Sequence, residues 1–422
     1  MEPLDLLPAR ESPLPGESMD SLVRRTACAM GYESVARLRA LLLDRGRLPL
    51  NLNHLEPGPM LDGLSALLGI SSANLLSLTV HRHAASLVFE PSRSEPPDVC
   101  DRKTRLRFFS SSAPVCLSCL QSEPAVERLL WRFEPTAVCL DHACLLRHLC
   151  SACHYSLHST GLNVRHCRCG FDLTRSPVAT VSQCVLSLVE RFHAWLTTDE
   201  NTLWDMPTAA AFWWAERLKT AALKTPTWLE TVRGDHDLPD ATNGSFVAWL
   251  AAAEMLSGWP DRFEQFLHVF QTVTKHRTSN TGVGRSFGTL LREADRFEQQ
   301  GYPIPADVLR SYLLQHFSRG HLSAKVCLFK HVNRRQLAQR PWMSQTNAAR
   351  QLSIRCAAIA DLVHRGLLVG EIHAAGQHAR SIGLVSRDSV KRLQQQLQSA
   401  LRVCQASKRL GISRHRILEL IQ

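Results

Sequence analysis

Between Cys116 and Cys169 the chain carries eight potential metal donors in four close pairs, all within 54 positions. The pairs are Cys116 with Cys119, Cys139 with His142, Cys150 with Cys153, and Cys167 with Cys169. A tetrahedral zinc ion takes four soft or borderline donors, and two short-spaced pairs on tight turns supply that arrangement. The economical division is sequential. Cys116, Cys119, Cys139 and His142 hold one Zn2+ ion, and Cys150, Cys153, Cys167 and Cys169 hold a second. Cys144 stands close enough to replace His142 in the first set. Each set offers four protein donors, whereas a catalytic zinc keeps three and leaves room for water, so both ions are expected to be structural.

A zinc hydrolase or nuclease would need an open metal position and a general base. His81, His83 and Glu127 are the nearby candidates, and they read as surface residues. Disulfides are the other rival use of the thiols. Against them, Cys28, Cys100, Cys184, Cys327, Cys356 and Cys404 are scattered singly among apolar neighbours and are expected as small core residues. The acidic, short opening from Met1 reads as neither a signal nor a transit peptide, and no uncharged apolar run approaches the ~20 residues of a bilayer span. Thiolate ligands fit a reducing cytoplasm, and no membrane partner is expected.

The formal net charge of +11 is unevenly placed. From Arg334 onward the chain holds 15 Lys and Arg against 4 Asp and Glu, while the rest holds 34 of each sign. A basic tail on a neutral body points to a polyanion, most often nucleic acid.

The patterning gives a mainly α, multidomain fold in five parts. Residues 1–100 form an N-terminal helical region with a linker. Helices are expected from Glu17 to Gly31 and from Ser34 to Asp44. The stretch from Leu61 to Leu78 is helix-turn-helix-like around Gly69 and Ser71, although a plain helical hairpin would look the same. Residues 101–180 form a small double zinc-finger module, with Trp131 and its neighbours over the first metal. Residues 181–332 are a helical middle region whose core is Trp195, Phe212, Trp213, Trp214, Trp249, Trp259, Phe263, Phe266 and Phe270. Gly282 to Gly288 is glycine-rich but lacks the lysine of a phosphate loop, so no nucleotide is assigned.

Residues 333–395 read as a winged helix-turn-helix-like domain, with residues 369–372 and 380–384 pairing as the wing. Residues 396–422 form a second, partial helix-turn-helix unit without a wing. There Ala406, Lys408, Leu410, Ile412, Ile417 and Leu420 repeat Ala348, Arg350, Leu352, Ile354, Ile359 and Leu362 at an offset of 58. Candidate contacts to double-stranded DNA are Arg350, Arg355, Lys408, Arg409, Ser413, Arg414, His415 and Arg416.

The ordered set of Cys-x-x-Cys, Trp131-Arg132, Cys-x-x-His, Leu145, Cys-x-x-Cys and Cys-x-Cys resembles the TniQ family, which includes the TnsD targeting proteins. Pro13, Pro15, Glu17, Ser18 and Ser21 are similar to the family's opening, as is Leu61 to Thr79. Gly258-Trp259-Pro260, Phe263, Phe266 and Phe287-Gly288 are similar to its helical region, so the resemblance runs over residues 10–330. It implies a non-catalytic transposition protein that selects or engages the target site beside a separate transposase and an AAA+ ATPase. It carries the family's ligand pairs onto the same eight Cys and His positions. Length and order are closer to the TniQ of mercury-resistance-type transposons than to the very short CRISPR-associated forms. Members that ride on a CRISPR effector complex exist at this length, so that complex is an alternative partner, as is a second copy of the chain in a homodimer. A zinc-containing DNA-binding transcription regulator is the alternative function.

Overall fold

The computed structural model describes residues 6–40, 51–89, 97, 99–110, 112–157, 163–197, 203–240, 242–277, 282–318, 320–375, 379–399, 407–408, 410–413 and 415–416. The chain divides into two compact units, Met1–Phe270 and Gln271–Gln422. The expected helical segment 181–332 straddles that boundary.

Unit 1 begins with α1 (Met19–Ala29), capped by Ser18, whose hydroxyl accepts from the Ser21 N–H at 3.2 Å. The short helix α2 (Val35–Ala40) follows, and residues 41–44 of the second expected helix lie outside the described residues. Then come α3 (Pro59–Leu68), α4 (Ser72–Leu76), α5 (Ala84–Leu87) and α6 (Arg102–Phe108). Leu22, Val23, Leu61, Leu64, Leu67 and Leu75 recur at helical spacing and close a common core. The helix-turn-helix-like stretch is real as a turn, but its second helix is five residues long.

Among its described residues the metal-ligand region holds the two-residue strands β1 (Val138–Cys139) and β2 (Cys144–Leu145) and short 3-10 turns. Longer helices follow: α7 (Gln183–Thr197), α8 (Thr208–Ala222), α9 (Pro226–Asp235) and α10 (Gly244–Ser257) in unit 1, and α11 (Asp261–Arg277), within which the unit boundary falls. Phe246, Val247, Ala248, Trp249, Leu250 and Ala251 are all buried, so α10 is apolar all round and central. Phe133, between the first two ligand pairs, meets Phe212 of α8 at 5.6 Å between ring centroids, and Phe108 of α6 meets Trp249 at 5.8 Å. These aromatic contacts seat the ligand region on the helices. The expected aromatic core is present, with Trp213 and Trp259 only half-buried. Trp213 lies under the Arg107 guanidinium, 4.0 Å from ring centroid to cation.

Unit 2 contains α12 (Val283–Gln299) and α13 (Ile304–His316). Gly284 and Gly288 fall inside α12, so this glycine-rich stretch is helix rather than loop. After α14 (Arg334–Ala338) the order is β3 (Trp342–Ser344), α15 (Gln345–Leu352), α16 (Cys356–His364), β4 (Gly370–Ala375), β5 (Ala379–Ser386) and α17 (Arg387–Ser399). The three strands form an antiparallel sheet in the order β3-β5-β4. Met343, Ala348, Leu352, Ile359, Val385 and Val390 are the core beneath it. Arg340 is 5% exposed and donates to the carbonyls of Leu314, Gly320 and Phe317, and the Trp342 indole donates to Gln315 O at 3.1 Å. The last turn of α13, whose carbonyls lack helical partners, is satisfied in this way by the chain entering the sheet. Burial pushes the Arg340 pKa down to about 10.

One turn recurs. Gly69 closes α3 at φ 65°, Ser65 Oγ donates to Ile70 O at 2.6 Å, and Ser71 accepts from the Asn74 N–H at 3.3 Å. Gly411 has φ 68°, Ser407 Oγ donates to Ile412 O at 2.6 Å, and Ser413 accepts from the Arg416 N–H at 3.2 Å. Between α15 and α16 the same place is held by Ser353 at φ 57°. Only glycine enters the left-handed region without steric cost. The repeat offset of 58 pairs Ser353 with Gly411, so both repeats share this backbone turn.

Several sequence expectations need correction. His81 and His83 are core residues, 3% and 4% exposed, not surface ones. The Cys100 N–H donates to His81 Nδ1 at 3.0 Å, and burial pushes His83 down to about 3. Cys100 is buried as expected, but Cys28, Cys184 and Cys356 are exposed and Cys327 is half-buried. Cys28 lies in the last turn of α1, Cys184 and Cys356 in the first turns of α7 and α16, and such helix-end exposure is not revealed by apolar neighbours in sequence. Cys404 and most of the linker before Cys100 lie outside the described residues.

The buried polar residues of α1 form one network with the loop before the second ligand pair. Glu127 is fully buried and paired with Arg24, and it accepts from Arg132 Nε at 2.6 Å. Arg132 Nη2 also reaches Asp20 at 3.5 Å, and Asp20 accepts from Asn53 Nδ2 at 3.2 Å. Ser18 N–H donates to Glu127 O at 2.9 Å, and Glu127 N–H donates to Ser21 Oγ at 3.1 Å. Burial alone would raise the Glu127 pKa, but Arg132 and Arg24 hold it at about 2, below its ordinary 4.5. A depressed carboxyl contributes stability fully above pH 4.5 and loses it as pH falls through about 2.

Two outcomes are expected. Glu127→Gln leaves two arginines buried without their carboxylate and lowers the unfolding free energy at neutral pH by about 3–5 kcal/mol. In acid titration of stability, that variant loses the Glu127 share of the decline between pH 4.5 and 2. Ser353→Gly relieves left-handed strain and stabilises unit 2 by about 1 kcal/mol. Denaturant unfolding measures both, and unchanged midpoints would refute them.

Candidate metal centre

β1 and β2 pair as a tight hairpin, with Val138 opposite Leu145 and Cys139 opposite Cys144. His142 stands on its turn, followed by Ala143 at φ 45°. The chain at Cys116 turns at once: Leu120 N–H donates to Cys116 O at 3.1 Å, and Cys119 N–H to Cys116 Sγ at 3.4 Å. The hairpin and this turn converge. His142 Nδ1 lies 3.7, 3.2 and 3.5 Å from the sulfurs of Cys116, Cys119 and Cys139, and Cys119 Sγ is 3.7 Å from Cys139 Sγ. Zinc bonds of ~2.3 Å to sulfur and ~2.0 Å to nitrogen set donor separations of about 3.8 and 3.5 Å in a tetrahedron. The donor set fits that ion, with Nδ1 as the histidine donor.

The second set is built from two turns of the same kind. His154 N–H donates to Cys150 O at 3.0 Å and Gly170 N–H to Cys167 O at 2.8 Å. His154 and Gly170 both have positive φ, 56° and 84°. Cys150 Sγ is 3.8 Å from Cys169 Sγ, and Cys153 Sγ is 3.7 Å from Cys167 Sγ. In each set all four donor atoms lie within 4.8 Å of one another, so each could hold a metal ion. Cys144 is not among the first four, although its sulfur is 3.6 Å from Cys116 Sγ.

Both sets share one small core with Leu117, Leu120, Trp131, Leu146, Leu157 and Leu173. Trp131 packs against the cysteines while Arg132, the next residue, turns to Glu127, which accounts for the Trp-Arg pair between the ligands. Arg165 ties the two turns together, donating to Leu120 O at 2.5 Å and Ser122 O at 3.0 Å and pairing with Glu123 at 2.6 Å. Sequence reasoning missed Arg165 and the α1 network, whose partners are about a hundred residues apart or lie across a turn. The one available signal was the spacing of Glu17, Ser18 and Ser21. The candidate base Glu127 is buried, not a surface residue, and both of its carboxylate oxygens are taken by arginines.

The other candidate residues are elsewhere. Arg350 lies in the last turn of α15 and Arg355 precedes α16, both exposed at the turn of Ser353. Lys408, Ser413, His415 and Arg416 are exposed around Gly411, and Arg409 and Arg414 lie outside the described residues.

Removal of metal is expected to unfold this region, since so small a core leaves folding dependent on metal binding on the order of 10 kcal/mol. Cys116→Ser and Cys167→Ser should each cost one ion in metal analysis, together with the cooperative melting of unit 1. Retention of metal and melting by either variant would exclude that residue as a ligand.

The family model described as TniQ matches residues 8–146, a span that includes α1, the buried network and the whole first donor set. The second donor set lies beyond the matched residues. No curated protein matches the chain. No helix among the described residues is long and apolar enough to cross a membrane. The matched span holds the Glu17-Ser18 opening, the Trp131-Arg132 pair and the first four donors, so over this part of its length the chain is similar to the TniQ family.

Proposed function

We propose that this chain is a non-catalytic target-selection protein of a DNA transposon. In this reading the zinc knuckles and the N-terminal helices engage the element's transposase and AAA+ ATPase, and the basic tail holds duplex DNA. The observation that carries it is the placement of charge on one repeated turn. The turn at Gly69 has no Lys or Arg anywhere in residues 57–81, and its one acidic residue is Asp62. That surface suits a protein partner. The equivalent turn at Ser353 is flanked by exposed Arg350 and Arg355, on a segment that holds the whole net charge of the chain. Order supports the same assignment: β3, two helices joined by a short turn, then the β4–β5 hairpin is the arrangement of a winged helix-turn-helix, with α16 as the helix offered to the major groove.

The eight donors would hold two Zn2+ ions that fix the knuckles and take no part in bond making. Each would be fully coordinated by protein, and the chain would leave strand cleavage and joining to its partners.

Fluorescence anisotropy with duplex DNA over a salt series tests the tail. Affinity is expected to fall steeply with salt. Arg350→Ala combined with Arg355→Ala is expected to flatten the log–log slope by about 0.9 for each phosphate left without its arginine. An unchanged slope in the folded double variant would overturn this placement of DNA.

A further inference from the structure

We propose that Cys144 is a reserve ligand of the first metal site, whose thiolate takes the fourth position when His142 leaves it. The inference rests on the two-zinc reading. Three features of the hairpin lead to it. Cys144 is fully buried, and its sulfur lies 3.6 Å from that of Cys116, a separation that two donors on one zinc ion would show. It stands directly opposite Cys139 in the β1–β2 ladder, so its backbone is already held at the site. His142, by contrast, is the one exposed residue of the four donors, carried on the hairpin turn beside the left-handed Ala143. The least enclosed donor therefore shares a two-strand hairpin with a thiol that touches the most enclosed one.

With His142 in place, the Cys144 thiol donates to the Cys116 sulfur and steadies it, as outer partners of metal ligands do. In the exchange, the bond from His142 Nδ1 to the metal breaks and a bond from Cys144 Sγ forms. The thiol proton passes to solvent and no oxidation state changes. The site goes from three thiolates and an imidazole to four thiolates, and the His142 ring is released on the outer face. A partner that captures that imidazole would thus not strip the metal from the fold.

The test uses the full chain and His142→Ala, Cys144→Ala and the double variant. The unaltered chain must first contain two zinc ions, since a smaller content would defeat the two-zinc reading itself before any variant is compared. His142→Ala is expected to keep both ions, and the double variant only one. Cobalt substitution supplies a second readout, because thiolate-to-cobalt charge-transfer absorption rises with the number of sulfur ligands. The expected count goes from seven sulfurs in the unaltered chain to eight in His142→Ala, an increase of about one-seventh. A fall toward four, or one zinc ion in His142→Ala, would overturn the proposal. Should His142→Ala fail to fold, the rate of zinc loss to a chelator from Cys144→Ala decides. Several-fold faster loss than from the unaltered chain is expected, and equal rates would refute it.

Discussion

A single carboxylate, that of Glu127, is the point on which unit 1 turns. It is enclosed by Arg24 from α1 and Arg132 from the loop between the first two ligand pairs. Ion pairs of this kind are not strong sources of stability, because desolvation offsets most of the attraction. Their effect is to exclude alternatives. A helix rotated by one residue, or a loop shifted in register, would leave a buried charge without its counter-charge. The network thereby fixes how the N-terminal helices meet the ligand region, and Trp131, next to Arg132, is delivered to the opposite side, onto the cysteines.

The ligand region itself has almost no regular structure to rely on. Its two strands are two residues each, and its core is the thiols with a few leucines. Two neighbours compensate. Phe133 inserts among Phe108, Phe109 and Phe212, and Glu134 accepts from Lys219 Nζ at 3.1 Å and Ser245 Oγ at 2.9 Å, anchoring the loop to α8 and α10. The knuckles are thus held by metal donors on one side and by an apolar and polar socket on the other.

Much of this was readable in the sequence. The four ligand pairs are local, and their spacing carries the geometry of the turns, so both donor sets could be drawn without a structure. The Gly69 turn and the repeat at Ser353 and Gly411 were legible for the same reason, and so was the hairpin after α16. What depends on distant partners was not. Nothing near Glu127 names Arg24, and its role as a candidate base dissolves only when both arginines are in view. His81 and His83 look solvent-facing beside Arg82, yet the short helical turn that carries them points both rings inward. The single cysteines failed in the opposite sense, because an apolar neighbourhood in sequence does not reveal exposure at a helix end.

Arg340 and Trp342 give unit 2 a mechanical property. They fasten the entrance of the three-stranded sheet to the open end of α13 through the carbonyls of Leu314, Gln315 and Phe317, with Arg387, just past the neighbouring strand β5, gripping Arg340 O at 2.6 Å. A swivelling tether would let the sheet and its two helices turn freely. This junction is a bracket. The sheet that α15 and α16 pack on and the end of α13 are thereby joined by several bonds at once, so a displacement of one is resisted by the other.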